Sequence, residues 1–219
     1  DGRLRTQGAG AAGCAAAKPE YVERPVEQLY NEAVDHLAAN DLNAAAAAFD
    51  EVERQHPYST WATKAQVMSA FAHYQAGNYD EAILAAERYI ELHPGNPDTP
   101  YAYYLKALSY YEQISQVSRD QKNTLRARSS LDELVRRFPQ SEYARDARIK
   151  LDLVVDHLAG KEMEVGRYYL KRGNYLAGIN RFRAVLDDYQ TTSHAPEALH
   201  RLAECYTALG LKDEARAVA

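Results

Sequence analysis

Punctuation at a fixed interval constrains this chain more than any other feature. The segments AGNYDEAI (Ala76–Ile83), RGNYLAGI (Arg172–Ile179) and ANDLNAAA (Ala39–Ala46) each set Gly or Asn at a helix end and then open a new helix. Gly and Asn tolerate the left-handed conformation that closes a helix. A second mark recurs in RQHP (Arg54–Pro57), ELHP (Glu91–Pro94) and RRFP (Arg136–Pro139). Proline there stops the second helix, because it has no N–H to donate and its ring clashes with the preceding turn. Pro57 to Pro94 is 37 residues, and Gly173 to Gly210 is also 37. Between the marks, apolar residues fall at helical period and strand signals are nearly absent. Such a chain folds as consecutive helix–turn–helix units.

The pattern resembles the tetratricopeptide repeat, whose basic unit is about 34 residues. Ala70, His73, Gly77, Tyr79, Ala82 and Pro94 fall where that repeat wants small, aromatic, turn, aromatic, small and proline residues. Gly166, Tyr169, Gly173, Tyr175, Gly178 and Phe182 repeat the arrangement. The small residues let paired helices approach closely, and the aromatics fill the space beside them. The expected fold is all-α, a right-handed superhelical solenoid of five tetratricopeptide-like helix pairs. The pairs are Val26–Ala39 with Leu42–Gln55, Ser59–Ala76 with Tyr79–Leu92, Asp98–Ile114 with Lys122–Arg137, Ser141–Arg172 with Tyr175–Asp188, and Ala195–Leu209 with Lys212 onward. A long connection, SQVSRDQK (Ser115–Lys122), interrupts the third pair. Ser141–Arg172 reads either as one long helix or as two broken near Gly160. The expected organisation is a leader and tether over 1–25, pairs one to three over 26–140, and pairs four and five over 141–219. Ala219 falls inside a helix without a polar closing face. A solenoid needs a capping end, so the natural protein is expected to continue.

Composition narrows the chemistry. Apolar residues make up 46% of the chain, enough to bury a core, and the net charge of −5 argues against general nucleic-acid binding. The charge is uneven: Glu20–Asp98 holds 4 Lys/Arg against 14 Asp/Glu, whereas Arg119–Arg183 holds 15 against 9. The basic stretch is interleaved with Asp132, Glu133, Glu142, Asp146, Asp152 and Asp156 and carries no glycine-aromatic RNA motif, so it reads as helix surface, part of it suited to an acidic protein. Cys14 and Cys205 are the two cysteines, with no metal-ligand or disulfide spacing around them. No apolar run approaches the roughly 18 residues that mark a transmembrane helix. His56 and His93 share one repeat position before proline, which points to structure. His194 and His200 do not share a helix face as i,i+4 ligands would, and Asp187 with Asp188 reads as a helix end. No phosphate loop, nucleophile elbow or zinc-protease motif is present. No catalysis, metal or cofactor is expected.

Binding by shape remains. Stacked helix pairs make a concave face, lined by the first helix of each pair. The repeat register assigns Lys64, Val67, Phe71 and Tyr74 of the second pair to that face, with Tyr101, Tyr104 and Leu108 of the third. With 17 tyrosines against 4 phenylalanines and 1 tryptophan, the chain is rich in side chains that bury a ring and keep a polar edge. Such a surface suits an extended peptide.

Longer stretches carry a closer resemblance. YVERPVEQLYNEAVDHL (Tyr21–Leu37), FDEVERQHPYSTWATKAQVM (Phe49–Met68), YAYYLKALSYYEQI (Tyr101–Ile114), the run from Phe138 to Phe182 and TTSHAPEALHRLAECYTALGL (Thr191–Leu211) resemble the BamD family of the outer-membrane β-barrel assembly machine, in its alphaproteobacterial form. The resemblance covers nearly all of Tyr21–Ala219. It implies a five-repeat scaffold at the periplasmic face of the outer membrane, held there by a lipid. It implies that the first three repeats face unfolded barrel precursors and that the last two hold the periplasmic domains of the barrel-forming subunit, BamA. Other lipoproteins of the machine are further implied partners. Arg181, in INRF, matches an Asn-Arg pair of the family in that docking region, and Arg167, Lys171, Asn180 and Arg183 are its expected companions. A guanidinium suits such a contact because its planar fork grips a carboxylate through two bonds. AAGC (Ala11–Cys14) matches the small residues before a lipidated cysteine, with Ala11 where leucine is usual. Upstream, DGRLRTQGAG is polar where an export signal has 7–15 apolar residues. Lipidated and unmodified Cys14 therefore both stand as readings. If lipidated, two or more acyl chains give stable anchoring, and Ala15–Pro25 serves as a tether kept extended by its prolines. A soluble periplasmic peptide-binding co-chaperone or cell-envelope coordinator is the alternative with the same surface.

Overall fold

The computed structural model describes residues 23–114 and 120–219. Cys14 and most of the expected tether lie outside the described residues, as do the first five residues of the long connection in the third pair. Among the described residues the chain is helical, without strands. The helices are α1 (Val26–Ala38), α2 (Leu42–Gln55), α3 (Thr60–Gln75), α4 (Tyr79–Leu92), α5 (Thr99–Glu112), α6 (Lys122–Arg137), α7 (Glu142–Lys171), α8 (Tyr175–Asp188), α9 (Ala195–Ala208) and α10 (Lys212–Val218). They reproduce the five expected pairs to within one or two residues at each end. Of the two readings for the fourth pair, α7 follows the first: 30 residues run through Gly160 without a break.

The punctuation acts as local chemistry predicts. Asn40, Gly77, Gly173 and Gly210 close the turns inside four pairs at φ of 60°, 77°, 72° and 76°. That left-handed region costs an ordinary L-residue about 1–2 kcal/mol and glycine almost nothing. The second helices end on His56, His93, Phe138 and Tyr189, all at φ between −129° and −136°. Proline follows the first three and disfavours helical backbone in the residue before it. Ser59 then caps α3, its Oγ accepting a bond from the Ala62 N–H at 3.1 Å.

Packing follows the alternation of small and large residues. Phe49 of α2 sits fully buried among Ala33, Ala45, Ala46 and Ala65, with Leu29 and Val52. Tyr89 of α4 fills the same place among Ala70, Ala86 and Ala102, and Phe182 of α8 lies among Ala159, Met163 and Ala198. Burying one such ring is worth roughly 1.5–3 kcal/mol. Each of these cores takes both helices of a pair and the first helix of the next, so the cores join end to end. The backbones of consecutive first helices (α1, α3, α5, α7, α9) pack on one another, whereas those of α2, α4, α6 and α8 pack only on the first helices on either side. First helices therefore converge on an inner face and second helices spread over an outer one. α7 departs from the common length at 30 residues and spaces its two cores along itself. Ala147, Val154 and Leu158 pack on Ala127, Leu131 and Leu134 of α6, and Ala159 and Met163 pack on α8.

Candidate functional site

The inner face is an aromatic ladder built by α3, α5 and α7. Phe71 of α3 lies 6.5 Å, centroid to centroid, from Tyr101 of α5. Tyr101 lies 5.2 Å from Tyr143 of α7, and Tyr104 stacks on the same ring at 5.1 Å with 27° between planes. Tyr74 stands 6.0 Å from Tyr79, with the Glu112 carboxylate near enough to help raise its hydroxyl above the ordinary value. Toward the first pair, Trp61 is 4.8 Å from Tyr30, and the exposed Lys64 holds its Nζ 5.9 Å above the Trp61 ring. Such pairs are worth about 0.5–1.5 kcal/mol beyond their buried area, so the ladder also joins successive repeats.

A polar rail runs beside the rings. The Tyr104 hydroxyl donates to Asp146, which also accepts from Lys150 at 2.8 Å and 3.0 Å. Lys150 in turn lies 5.7 Å from the Tyr111 centroid. Burial pushes the Asp146 carboxyl up, but the bonds from Lys150 and Tyr104 outweigh it and hold the group below its ordinary value. Burial drives the Tyr101 hydroxyl up to about 12, helped by Tyr143 and Tyr74 beside it. Tyr74, Tyr104 and Tyr143 move the same way, burial leading in each and neighbouring carboxylates adding to it. These hydroxyls stay protonated at neutral pH, so the rings add no charge of their own, and the charge of the face comes from Lys64 and the paired Asp146 and Lys150. Among the described residues no cluster of His, Cys, Asp and Glu has the geometry of a metal site.

Of the seven inner-face residues expected from the sequence, Lys64, Phe71, Tyr74, Tyr101 and Tyr104 stand on this face. Val67 and Leu108 do not present themselves: they are 5% and 8% exposed and pack inward. Val67 joins Ala70, Ala86, Tyr89 and Ala102 in the core of the second pair. Val67 is covered there by α4 and α5 although it shares a helix face with Lys64 and Phe71. The sequence reading missed Trp61, Tyr143, Asp146 and Lys150. Tyr143, Asp146 and Lys150 fall at i, i+3 and i+7 on α7, the spacing that marks one helix face. Extending the register one pair further reaches them.

The five residues expected at a docking surface lie on α7 and α8 but do not join into one cluster. Arg167 reaches across to α9, its Nη1 3.0 Å from Glu197. Glu197 also meets Arg201, and the two arginines overcome the upward push of burial to hold its carboxyl below the usual value. Arg181 instead turns back to α7 and meets Glu162 at 3.1 Å. Lys171, Asn180 and Arg183 are exposed. Arg172, beside Lys171, stacks 4.7 Å over the half-exposed Tyr168 ring. The histidines before proline are structural: His56 Nε2 meets the Arg24 carbonyl at 2.6 Å, and His93 Nε2 meets Gln66 at 2.7 Å. No helix among the described residues is long and apolar enough to cross a membrane.

Comparison with known proteins agrees with this architecture. The family model YfiO, described as outer membrane lipoprotein, matches residues 22–219. The chain is 53% identical over 212 residues to the outer membrane protein assembly factor BamD of Caulobacter vibrioides, an alignment covering 95% of this chain and 70% of that one. It is 46% identical over 205 residues to BamD of Rickettsia prowazekii, covering 93% and 82%. Among solved structures, the tetratricopeptide domain of P58(IPK) superposes with a TM-score of 0.50 at 15% identity, over 88% of this chain and 49% of that one, a likeness of fold alone. An all-helical solenoid of these pairs, matched almost from end to end by such relatives, belongs to the BamD (YfiO) family of outer membrane protein assembly factors.

Proposed function

We propose that this chain is a non-catalytic scaffold of the outer-membrane β-barrel assembly machine, whose inner face holds segments of unfolded barrel precursors. The observation that carries the reading is the continuous run of Phe71, Tyr101, Tyr143 and Tyr104 across three first helices. A precursor segment is extended, alternates apolar and polar residues, and has no folded shape to recognise. Rings with O–H edges match both kinds of residue without demanding one sequence. BamA docks on the last two pairs, with Arg167, Lys171, Asn180, Arg181 and Arg183 at the contact. Arg167 and Arg181 are already held by Glu197 and Glu162, so they act as oriented forks rather than loose charges. Cys14 carries the lipid that holds the scaffold at the periplasmic face of the outer membrane.

Two experiments test this. A photo-crosslinker at Tyr74 or Lys64 is expected to capture a urea-denatured outer-membrane precursor, and Tyr101→Ala with Tyr104→Ala to reduce the yield several-fold. Equal yield from the variant ends the inner-face assignment. Arg181→Glu with Arg183→Glu is expected to lose BamA in a pulldown while precursor capture persists. Retention of BamA by that variant ends the docking assignment, and failure of the wild type to recover it leaves a free co-chaperone.

A further inference from the structure

The outer face holds a second surface, independent of the ladder. Because the backbones of α2 and α4 both pack on α3 and not on each other, a cleft opens between them with α3 as its floor. Its volume is about 650 Å³. Asp50, Glu53 and Arg54 of α2 form one wall, and Glu81, Leu84, Ala85 and Arg88 of α4 the other. Ser69 and His73 lie at the floor and Pro57 at one end. Two ties bridge the walls, Asn78 to Asn43 at 2.8 Å and Arg88 to Glu53.

The charge here is lopsided. Three carboxylates line the cleft (Asp50, Glu53, Glu81) against two arginines (Arg54, Arg88), on helices that together hold seven acids. Both arginines are engaged, Arg54 by Glu51 and Arg88 by Glu53. Asp50 accepts a bond from the Ser69 hydroxyl at 2.7 Å, and no lysine or arginine among the described residues pairs with Asp50 or Glu81. Between these carboxylates Leu84 stands 67% exposed, although it sits mid-helix with Ala85 beside it. At the floor, His73 Nδ1 is shielded from solvent and bonded to no described group. Two uncompensated acids, an unused polar atom and an exposed leucine thus share one concavity. By contrast α6, the next outer helix, carries five Lys/Arg against two Asp/Glu.

We propose that this cleft docks a short basic segment of another protein, with a Lys or Arg ammonium or guanidinium set between Asp50 and Glu81 and a leucine-like neighbour covering Leu84, Ala85 and Pro57. Charge complementarity selects this occupant: anionic lipid and nucleic acid are repelled by the same carboxylates, and an apolar helix alone leaves them unpaired. An exposed ion pair contributes little by itself, so the apolar neighbour supplies the affinity and the cation the selectivity.

The test uses the full chain and three fluorescein-labelled decapeptides in a Gly/Ser background. One carries two Lys-Leu pairs, one has Glu for each Lys, and one has Ser for each Leu. Fluorescence anisotropy is expected to show the Lys-Leu peptide binding about tenfold tighter than the Glu-Leu peptide, a gap that shrinks as salt rises from about 50 to about 500 mM. D50N/E81Q is expected to weaken the Lys-Leu peptide about fivefold or more and to erase the salt effect. Leu84→Ser is expected to weaken it while keeping the salt effect, and Asp152→Asn on α7 to change nothing. The proposal is overturned if the Lys-Leu and Glu-Leu peptides bind alike, if neither binds, or if the D50N/E81Q and wild-type curves superimpose. Should D50N/E81Q melt early by circular dichroism, Leu84→Ser decides alone.

Discussion

At single positions, what matters is whether a Cβ fits. Gly77 and Gly173 have open space around them, so only their φ of 77° and 72° forbids a side chain. Gly77→Ala and Gly173→Ala are each expected to cost about 1–2 kcal/mol in urea denaturation, with Gly77→Asn costing less. Gly166 is different. A Cβ there would lie 2.5 Å from Phe182 Cε1 and 2.9 Å from two further atoms of the same fully buried ring. Gly166→Ala gains helix propensity but forces the ring aside, with an expected net loss of about 1–3 kcal/mol. Gly166→Ala with Phe182→Leu should recover part of that loss. An additive double variant would refute the clash. Both kinds of glycine were visible in the sequence as repeat positions. Only contact with Phe182 tells a glycine kept for its backbone angle from one kept for its size.

At the level of helices, the inner ladder makes a prediction about alkali. Tyr101 titrates near 12 in the folded chain, mainly because it is buried, and Tyr74, Tyr104 and Tyr143 are also raised above an unfolded value near 10. A group whose folded value is raised stabilises fully below its unfolded value and stops doing so as pH climbs through the folded one. Stability is therefore expected to be flat up to about pH 10 and to fall between about 10 and 12. Absorbance at tyrosinate wavelengths, followed together with helical circular dichroism, should show the buried hydroxyls ionising as the helices melt. Tyr101→Phe with Tyr104→Phe should move the fall to higher pH. Helix boundaries and pairing were legible because glycine, asparagine and proline act through their own backbones, within a few residues. The inner face was legible only in part. Periodicity says that Val67 and Leu108 lie on an apolar stripe, but whether the stripe meets solvent or the neighbouring helix depends on how pairs stack. Tyr143, Asp146 and Lys150 escaped because the register was stopped at the third pair.

For the whole molecule, joined cores mean that no pair stands alone. Thermal unfolding is expected to give one calorimetric transition. Asp152→Pro, at an exposed site in α7, removes a helical bond and costs about 3 kcal/mol. It should split the transition into two, one for the pairs before the break and one for those after. A single sharp transition in that variant would show that the lobes are coupled without α7. The reach of α7 has one more consequence. Tyr143 of the aromatic face and Arg167 of the proposed BamA contact stand on the same unbroken helix, 24 residues and roughly 36 Å apart. A stiff rod that long acts as a lever arm: a tilt of about 5° at one end displaces the other by about 3 Å. If the proposed function holds, a precursor gripped by the rings would exert a torque on whatever is seated at the guanidinium end, along a helix with no break to absorb it.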